Sequence, residues 1–232
     1  MRWTQTLAAL PDDGFLVTGR DGRSVTERRV LLLTGQSSWR HSRLSPRQDA
    51  LLTAVAAHGY HPVRSGFPYH CELLETPWPG PEPLPLASIR NAAQFRAARF
   101  DRQFRAQIAR ALQAQVDHTS EQVLVITGSS GLHLWVQARP ALRIPRGLRV
   151  DLIALGPVMT PAPLPGGTDD LDTSLTVIQG RRDRFSQWGF RGAVDHVVEA
   201  GHLDYSGDPG VVALVTGLSA ELSTRPHLQD PP

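Results

Sequence analysis

The stretch VLVITGSSGLHLW, residues 123–135, changes from one backbone pattern to another within a few positions. Its first five residues, 123–127, are apolar or β-branched, which predicts a buried central strand. Small residues follow at 128–131 and predict a tight turn, after which the apolar pattern resumes as a helix. A strand, a sharp turn and a helix in direct succession are the setting of a nucleophile elbow. The turn therefore offers two candidate nucleophiles, Ser129 and Ser130.

The size of the flanking residues favours Ser129 over Ser130. The turn leaves room only for small residues two positions before and two positions after the nucleophile. Ser129 is flanked at these positions by Thr127 and Gly131, whereas Ser130 would be followed at this spacing by Leu132, which is too large. The ideal motif has glycine where this chain has Thr127. A glycine-rich turn in which serine only caps the helix is therefore the alternative interpretation.

Two further strand endings carry the residue types that activate a serine. The pattern TVIQG at 176–180 predicts a strand followed by Asp183, and AVDHVVE at 193–199 predicts a strand that ends shortly before His202. In a triad of serine, aspartate and histidine, the imidazole accepts the serine proton and the carboxylate orients the ring. Each of the three residues follows the carboxyl end of a predicted strand, where open α/β sheets bind their ligands. We therefore expect Ser129, Asp183 and His202 to meet at one edge of the sheet.

The order of these parts resembles that of the α/β-hydrolase family of serine hydrolases, over residues 14–222. The segment at 15–25 resembles the opening β-hairpin of the family, and RVLLLT at 29–34 resembles the strand before its oxyanion loop. The resemblance implies an α/β fold with a mostly parallel, doubly wound sheet, helices on both faces and an N-terminal hairpin. Alternating helix and strand patterns along the chain predict the same fold class.

The resemblance also implies where an oxyanion is bound. The family uses two backbone N–H groups, one directly after the nucleophile and one in the loop after the strand at 29–34. In this sequence these positions are Ser130 and Gln36. Losing one such donor typically lowers the rate by a factor on the order of 10²–10³. Thr34 and Thr127 stand where the family usually has histidine and glycine, but neither replaces a reacting group.

Composition excludes several classes of function. All 24 basic residues are arginine, because the sequence contains no lysine. Walker-type phosphate loops, Schiff-base aldolases and pyridoxal enzymes each need a lysine, and the dinucleotide fingerprint is missing after both central strands. We therefore predict no cofactor. The net charge of +2 provides no strong field for nucleic acid. The arginines between Arg90 and Arg110 are predicted to form the solvated face of one amphipathic helix.

The length of 232 residues fits a single α/β domain at 1–222, followed by a polar tail at 223–232 that we expect to be disordered. The N-terminal apolar run is too short for a signal peptide, and no stretch approaches the length of a membrane span. A cytoplasmic location is therefore expected. The single Cys71 has no partner for an internal disulfide. Because the histidines near it match no standard zinc spacing, we predict no metal site.

Two proline-rich stretches, 76–86 and 156–173, follow predicted strands and are expected to stay extended over the crevice. The second is too short for the cap domain that the family often inserts at this point. Loops rather than a cap should therefore cover the site. Trp78, Met159 and Leu164 are candidate apolar walls for the substrate, with packing in the core as the alternative for each.

Together these observations favour a serine hydrolase that cleaves a small-molecule ester or thioester through an acyl-enzyme intermediate. Two alternatives stay open at this point. One is a non-catalytic binding or scaffold protein with the same fold, because fold alone does not imply function. The other is an acyltransferase that uses the same three residues.

Overall fold

A parallel β-sheet forms the centre of the computed structural model, which describes residues 25–35, 42–67, 69, 78–160 and 173–225. Within these residues the sheet has six strands in the order β2-β1-β3-β4-β5-β6, and every neighbouring pair is parallel. The predicted mostly parallel sheet is thus parallel throughout its described part. The strands are β1 (Thr26–Thr34), β2 (His61–Gly66), β3 (Thr119–Gly128), β4 (Arg149–Leu155), β5 (Thr173–Gly180) and β6 (His196–Val198).

Most of the helices begin where a side chain caps their first backbone N–H groups. The described helices are α1 (Pro46–Ala56), α2 (Leu84–Phe100), α3 (Arg102–Asp117), α4 (Gly131–Ala138), α5 (Arg184–Gly189) and α6 (Pro209–Thr224). Four of them have an N-cap side chain that accepts a hydrogen bond from the first turn, namely Ser45, Asp101, Asp183 and Asp208. None of these helices combines the length and the apolar character needed to cross a bilayer.

Alternate residues of the strands point into two separate cores, one on each face of the sheet. On one face, Val30 and Leu124 belong to a buried cluster that includes residues of α1 and α6. On the other face, Leu31 and Val125 belong to a cluster that includes residues of α2, α3 and α4. Strand β3 lies in the interior of the sheet and is covered on both faces. Its uninterrupted apolar run is the pattern expected of such a strand.

The single amphipathic helix predicted across residues 90–110 is wrong, because the chain forms two helices there. Asp101 has an extended backbone, and its side chain accepts hydrogen bonds from two N–H groups in the first turn of α3. This cap begins a new helix even though the apolar spacing continues across the break. The expected solvated face is also wrong in part. Arg90 is 1% exposed, whereas Phe100 is 64% exposed.

The expectation of an extended proline-rich stretch at 76–86 is wrong for its last residues. Leu84 begins α2, and Pro85 lies within the first turn, where a missing N–H leaves no hydrogen bond unmade. At the other end of the chain, α6 extends through Thr224, into the segment predicted to be a tail. The predicted hairpin at 15–25, apart from its last residue, lies outside the described residues.

Candidate active site

The turn between β3 and α4 holds Ser129 in a conformation that few residues adopt. Its φ is +52°, in the left-handed region where a residue with a side chain is strained. The Ser129 N–H donates to the Leu155 carbonyl at 3.2 Å, and the Ser129 carbonyl accepts from the Val158 N–H at 2.9 Å. These two hydrogen bonds tie the turn to the end of β4 and the segment after it. The fold therefore supports the strained conformation in which Ser129 is presented.

Gly131 lies so close to β1 that no side chain fits at this position. A Cβ atom added to it would overlap the carbonyl oxygen of Leu33 and would lie 3.2 Å from the Cβ atom of Thr127. The need for a small residue two positions after Ser129 is therefore a steric contact with the backbone of the neighbouring strand. Thr127, two positions before Ser129, is accommodated and fully covered.

We expect Gly131→Ala to lower the free energy of unfolding by about 3 kcal/mol, because the added methyl group must displace the backbone of β1. Urea unfolding followed by circular dichroism measures this change. Gly217→Ala is the matched control, since nothing lies within 4 Å of its added Cβ and it stands inside α6. There the same substitution should stabilise the protein by roughly 0.5–1 kcal/mol. Equal stability of Gly131→Ala and the wild type would contradict the close packing of the turn on β1.

Ser129, His202 and Asp183 are connected by hydrogen-bond contacts. The Oγ atom of Ser129 lies 2.9 Å from Nε2 of His202, and Nδ1 of the same ring lies 2.9 Å from both carboxylate oxygens of Asp183. In the tautomer that fits these partners, Nδ1 carries a proton and donates a hydrogen bond to the carboxylate. Nε2 is then free to accept the serine proton. The structure thus brings together the three residues that the sequence analysis selected.

Parallel strand ends bring these side chains to one edge of the sheet. Asp183 follows β5 and is the N-cap residue of α5. His202 lies in the turn after β6. Strand β6 covers only His196–Val198 and is therefore shorter than the strand predicted at 193–199. Gly156, with φ of +52°, leaves the space that the Asp183 carboxylate occupies, since a Cβ there would overlap Oδ2.

The carboxylate of Asp183 is completely buried, yet its surroundings favour the charged form. Burial by itself would raise the pKa of Asp183, but three hydrogen bonds and the electrostatic effect of His202 together outweigh burial and lower the pKa below the ordinary value of 3.8. The donors are Nδ1 of His202, the backbone N–H of Ser186 at 3.0 Å and the hydroxyl of Tyr205 at 2.8 Å. Asp183 therefore stays ionised at neutral pH, as a residue that orients an imidazole must.

Tyr205 belongs to this network, although the sequence analysis did not select it. Its hydroxyl donates to Oδ2 of Asp183 and accepts a hydrogen bond from the N–H of Gly180, both at 2.8 Å. Burial, together with the neighbouring carboxylate, raises the pKa of Tyr205 well above its ordinary value. The phenol therefore remains a neutral donor. A tyrosine in a polar turn has no recognisable pattern, so only the fold reveals its position beside Asp183.

A cavity of about 630 Å³ opens beside Ser129, and its wall includes Ser130 and His202. Its volume and mainly apolar wall are typical of sites that bind small molecules. Phe185 contributes to this wall and also contacts the ring of His202, with the two ring centres 5.3 Å apart. Most of the remaining wall comes from β1, α1, α2 and the turn after β6, through Leu32, Leu51, Leu84, Ala87, Phe95 and Leu203.

The other predicted site residues lie in different places. Ser130 lines the cavity as the N-cap residue of α4. Met159 is 9% exposed and packs in the core cluster on the α2–α4 face, and Trp78 is half-buried; the described wall of the cavity includes neither. Gln36 and Leu164 lie outside the described residues. The role of Gln36 in an oxyanion hole thus stays a prediction.

Comparison with known proteins gives no family model and no curated protein that matches this sequence. Solved structures do match. A dienelactone hydrolase-like promiscuous phosphotriesterase from metagenomic libraries is 14% identical, with a TM-score of 0.52 over 88% of each chain. A dienelactone hydrolase from Anabaena variabilis is 16% identical, with a TM-score of 0.42 over 86% of each chain. An esterase is 16% identical, with a TM-score of 0.44 over 85% of this chain and 93% of its own.

The architecture agrees with the first of these similarities. The described sheet is parallel and is covered by helices on both faces, as the sequence pattern predicted. A central strand ends in a sharp strand-to-helix turn, which was also predicted. The chain has the α/β-hydrolase fold.

Proposed function

We propose that this protein is a serine hydrolase that cleaves a small-molecule ester or thioester through an acyl-enzyme intermediate. The contacts from Ser129 Oγ through the imidazole of His202 to the carboxylate of Asp183 carry this proposal. Each joins a possible proton donor to a matching acceptor. The apolar cavity beside Ser129 supplies a place for the substrate.

In the proposed reaction, Ser129 Oγ forms a bond to the carbonyl carbon of the substrate while its proton moves to Nε2 of His202. The resulting imidazolium is stabilised by Asp183, which accepts the hydrogen bond from Nδ1. Collapse of the tetrahedral intermediate breaks the bond to the leaving alcohol or thiol, which takes the proton from His202. Water then repeats these steps on the acyl-enzyme and releases the acid.

We assign the stabilisation of the oxyanion to the backbone N–H of Ser130, with that of Gln36 as the second donor. Ser130 directly follows the nucleophile and stands at the N-terminus of α4. Backbone N–H groups at the start of a helix carry partial positive charge, which favours a developing negative charge nearby.

Covalent labelling with a fluorophosphonate tests the proposal. We expect the wild-type protein to react with one equivalent of the reagent, with loss of ester hydrolysis and a mass increase that peptide mapping places on Ser129. Hydrolysis is measured with p-nitrophenyl esters of short and long acids, with a thioester, and with a phosphotriester as a further substrate class.

The two alternatives give different results in the same experiments. A binding or scaffold protein would show neither labelling nor turnover between about pH 6 and 9 while circular dichroism shows an intact fold. An acyltransferase would transfer the acyl group to an added alcohol or amine in preference to water. Either outcome would replace the hydrolase proposal.

A further inference from the structure

Two polar atoms of residues in the wall of the cavity have no hydrogen-bond partner among the residues that the structure describes. They are Oδ1 of Asn91, on α2, and Oγ of Ser130, at the start of α4. Both atoms are buried, and both residues line the cavity that contains Ser129. The position of Ser130 would ordinarily be explained by helix capping, but its side chain makes no capping hydrogen bond. No hydrogen bond within the described part of the chain therefore accounts for either atom.

Gly35, which directly follows β1, shows that these two atoms lie close to the same point. A Cβ atom added to Gly35 would overlap Oδ1 of Asn91 and would lie 2.6 Å from Oγ of Ser130. Glycine at position 35 lets both polar atoms approach this point, because a side chain there would overlap them.

An unpaired buried polar atom destabilises a folded protein, so such atoms are usually satisfied by protein groups, ordered water or a ligand. Here the two atoms offer complementary hydrogen-bonding capacity. The amide oxygen of Asn91 only accepts a hydrogen bond, whereas the hydroxyl of Ser130 can also donate one. A hydroxyl group placed between them satisfies both, because it donates to Asn91 and accepts from Ser130. A methyl group of the same size satisfies neither.

We propose that Asn91 and Ser130 form a subsite for a hydroxyl group of the substrate, and that the substrate is an ester with a hydroxyl substituent close to its carbonyl group. This inference rests on the proposed serine hydrolase function. The position of the hydroxyl follows from the chain, because Ser130 is the residue next to the nucleophile Ser129. A group that reaches Ser130 Oγ is therefore only a few bonds from the carbonyl carbon under attack.

The test compares esters of one alcohol that differ only in hydroxyl against methyl. The two pairs are 2-hydroxypropanoate with 2-methylpropanoate and 3-hydroxybutanoate with 3-methylbutanoate. For each pair, kcat/KM of the hydroxylated ester is divided by kcat/KM of its methyl-substituted analogue. This ratio is then divided by the same ratio of rate constants for hydroxide-catalysed hydrolysis, which corrects for the different chemical reactivity of the two esters. We expect the wild-type protein to prefer one of the hydroxylated esters by about 100-fold or more, since a site built for a hydroxyl rejects analogues that lack it.

Asn91→Leu and Ser130→Ala should each lower this preference at least tenfold, and the double variant should lose little more than either single variant, because both side chains hold the same hydroxyl. Their melting temperatures should equal or exceed that of the wild type, since each change removes an unpaired buried atom. The subsite would be overturned if the wild type showed no preference beyond the chemical reactivity of the esters, or if both variants kept the wild-type preference. The hydrolase function would stand in either case.

A binding measurement separates the subsite from catalysis. Calorimetric titration of Ser129→Ala with the intact esters reports affinity without turnover. We expect the hydroxylated ester to bind more tightly than its methyl counterpart by tenfold or more, and Asn91→Leu in this background to remove the difference. If the wild type hydrolyses no ester but this difference is present, the proposed function fails and the subsite stands. Equal affinities for both esters would rule out the subsite whatever the activity.

Discussion

Ser129→Ala is expected to lower kcat for ester hydrolysis by about 10⁶ and to abolish fluorophosphonate labelling, because the atom that forms the acyl bond is lost. The hydroxyl of Ser129 is the group held 2.9 Å from Nε2 of His202. Alanine at a φ of +52° experiences the same backbone strain as serine, so the stability of the protein should change little. Initial rates with a p-nitrophenyl ester, normalised to folded protein by circular dichroism, measure the effect.

Ser130→Ala is the matched control for the choice between the two serines of the turn. This variant keeps the hydroxyl of Ser129 and the backbone N–H of residue 130, so the fluorophosphonate should still label it, and the label should still map to Ser129. Abolished labelling in a folded Ser130→Ala protein would move the nucleophile to Ser130.

Asp183→Asn is expected to lower kcat by roughly 10⁴ while the protein remains folded. The carboxylate accepts hydrogen bonds from Nδ1 of His202, from the N–H of Ser186 and from the hydroxyl of Tyr205. In asparagine, an NH₂ group replaces one of the two carboxylate oxygens. Since Nδ1 of His202 lies next to both oxygen positions, this NH₂ group donates to Nδ1 and favours the ring without a proton there. The imidazole then carries its proton on Nε2 and is unable to take one from Ser129. Pre-steady-state release of p-nitrophenol measures the acylation step directly.

Tyr205→Phe is the control for this substitution, because it removes one donor to Asp183 and leaves the carboxylate in place. The variant also loses the hydrogen bond that the hydroxyl accepts from the Gly180 N–H, but the carboxylate still faces His202, so kcat should fall only about tenfold. If Asp183→Asn retained near-normal turnover, or lost no more than Tyr205→Phe, another group would have to orient His202.

The regions that were predicted well are those where short-range pattern and residue size decide the backbone. Strand β3 is covered on both faces, so its apolar run is unbroken, and the turn after it admits only small residues because Gly131 touches Leu33. The break between two helices at Asp101 was not predicted. The carboxylate of Asp101 caps the second helix without interrupting the apolar spacing, and this spacing alone predicts one continuous helix.

The wall of the cavity was predicted less well, because it depends on which elements meet above the sheet. Met159 was predicted to line the cavity because it is apolar and follows a strand. In the structure it packs in the core on the α2–α4 face. Phe95 and Asn91 of α2 line the cavity instead. This helix is far from Ser129 in the sequence, so no local pattern predicts the contact.

By itself, the sequence determined the α/β alternation, the strand-to-helix turn at Ser129 and the order of Ser129, Asp183 and His202, because each of these depends on neighbouring residues. Only the packed domain reveals the buried hydrogen bond from Tyr205 to Asp183 and the unpaired atoms of Asn91 and Ser130 that meet beside Gly35. These features arise where side chains from separate strands and helices converge. Such convergence depends on the packing of the whole domain, which no local pattern of residues encodes.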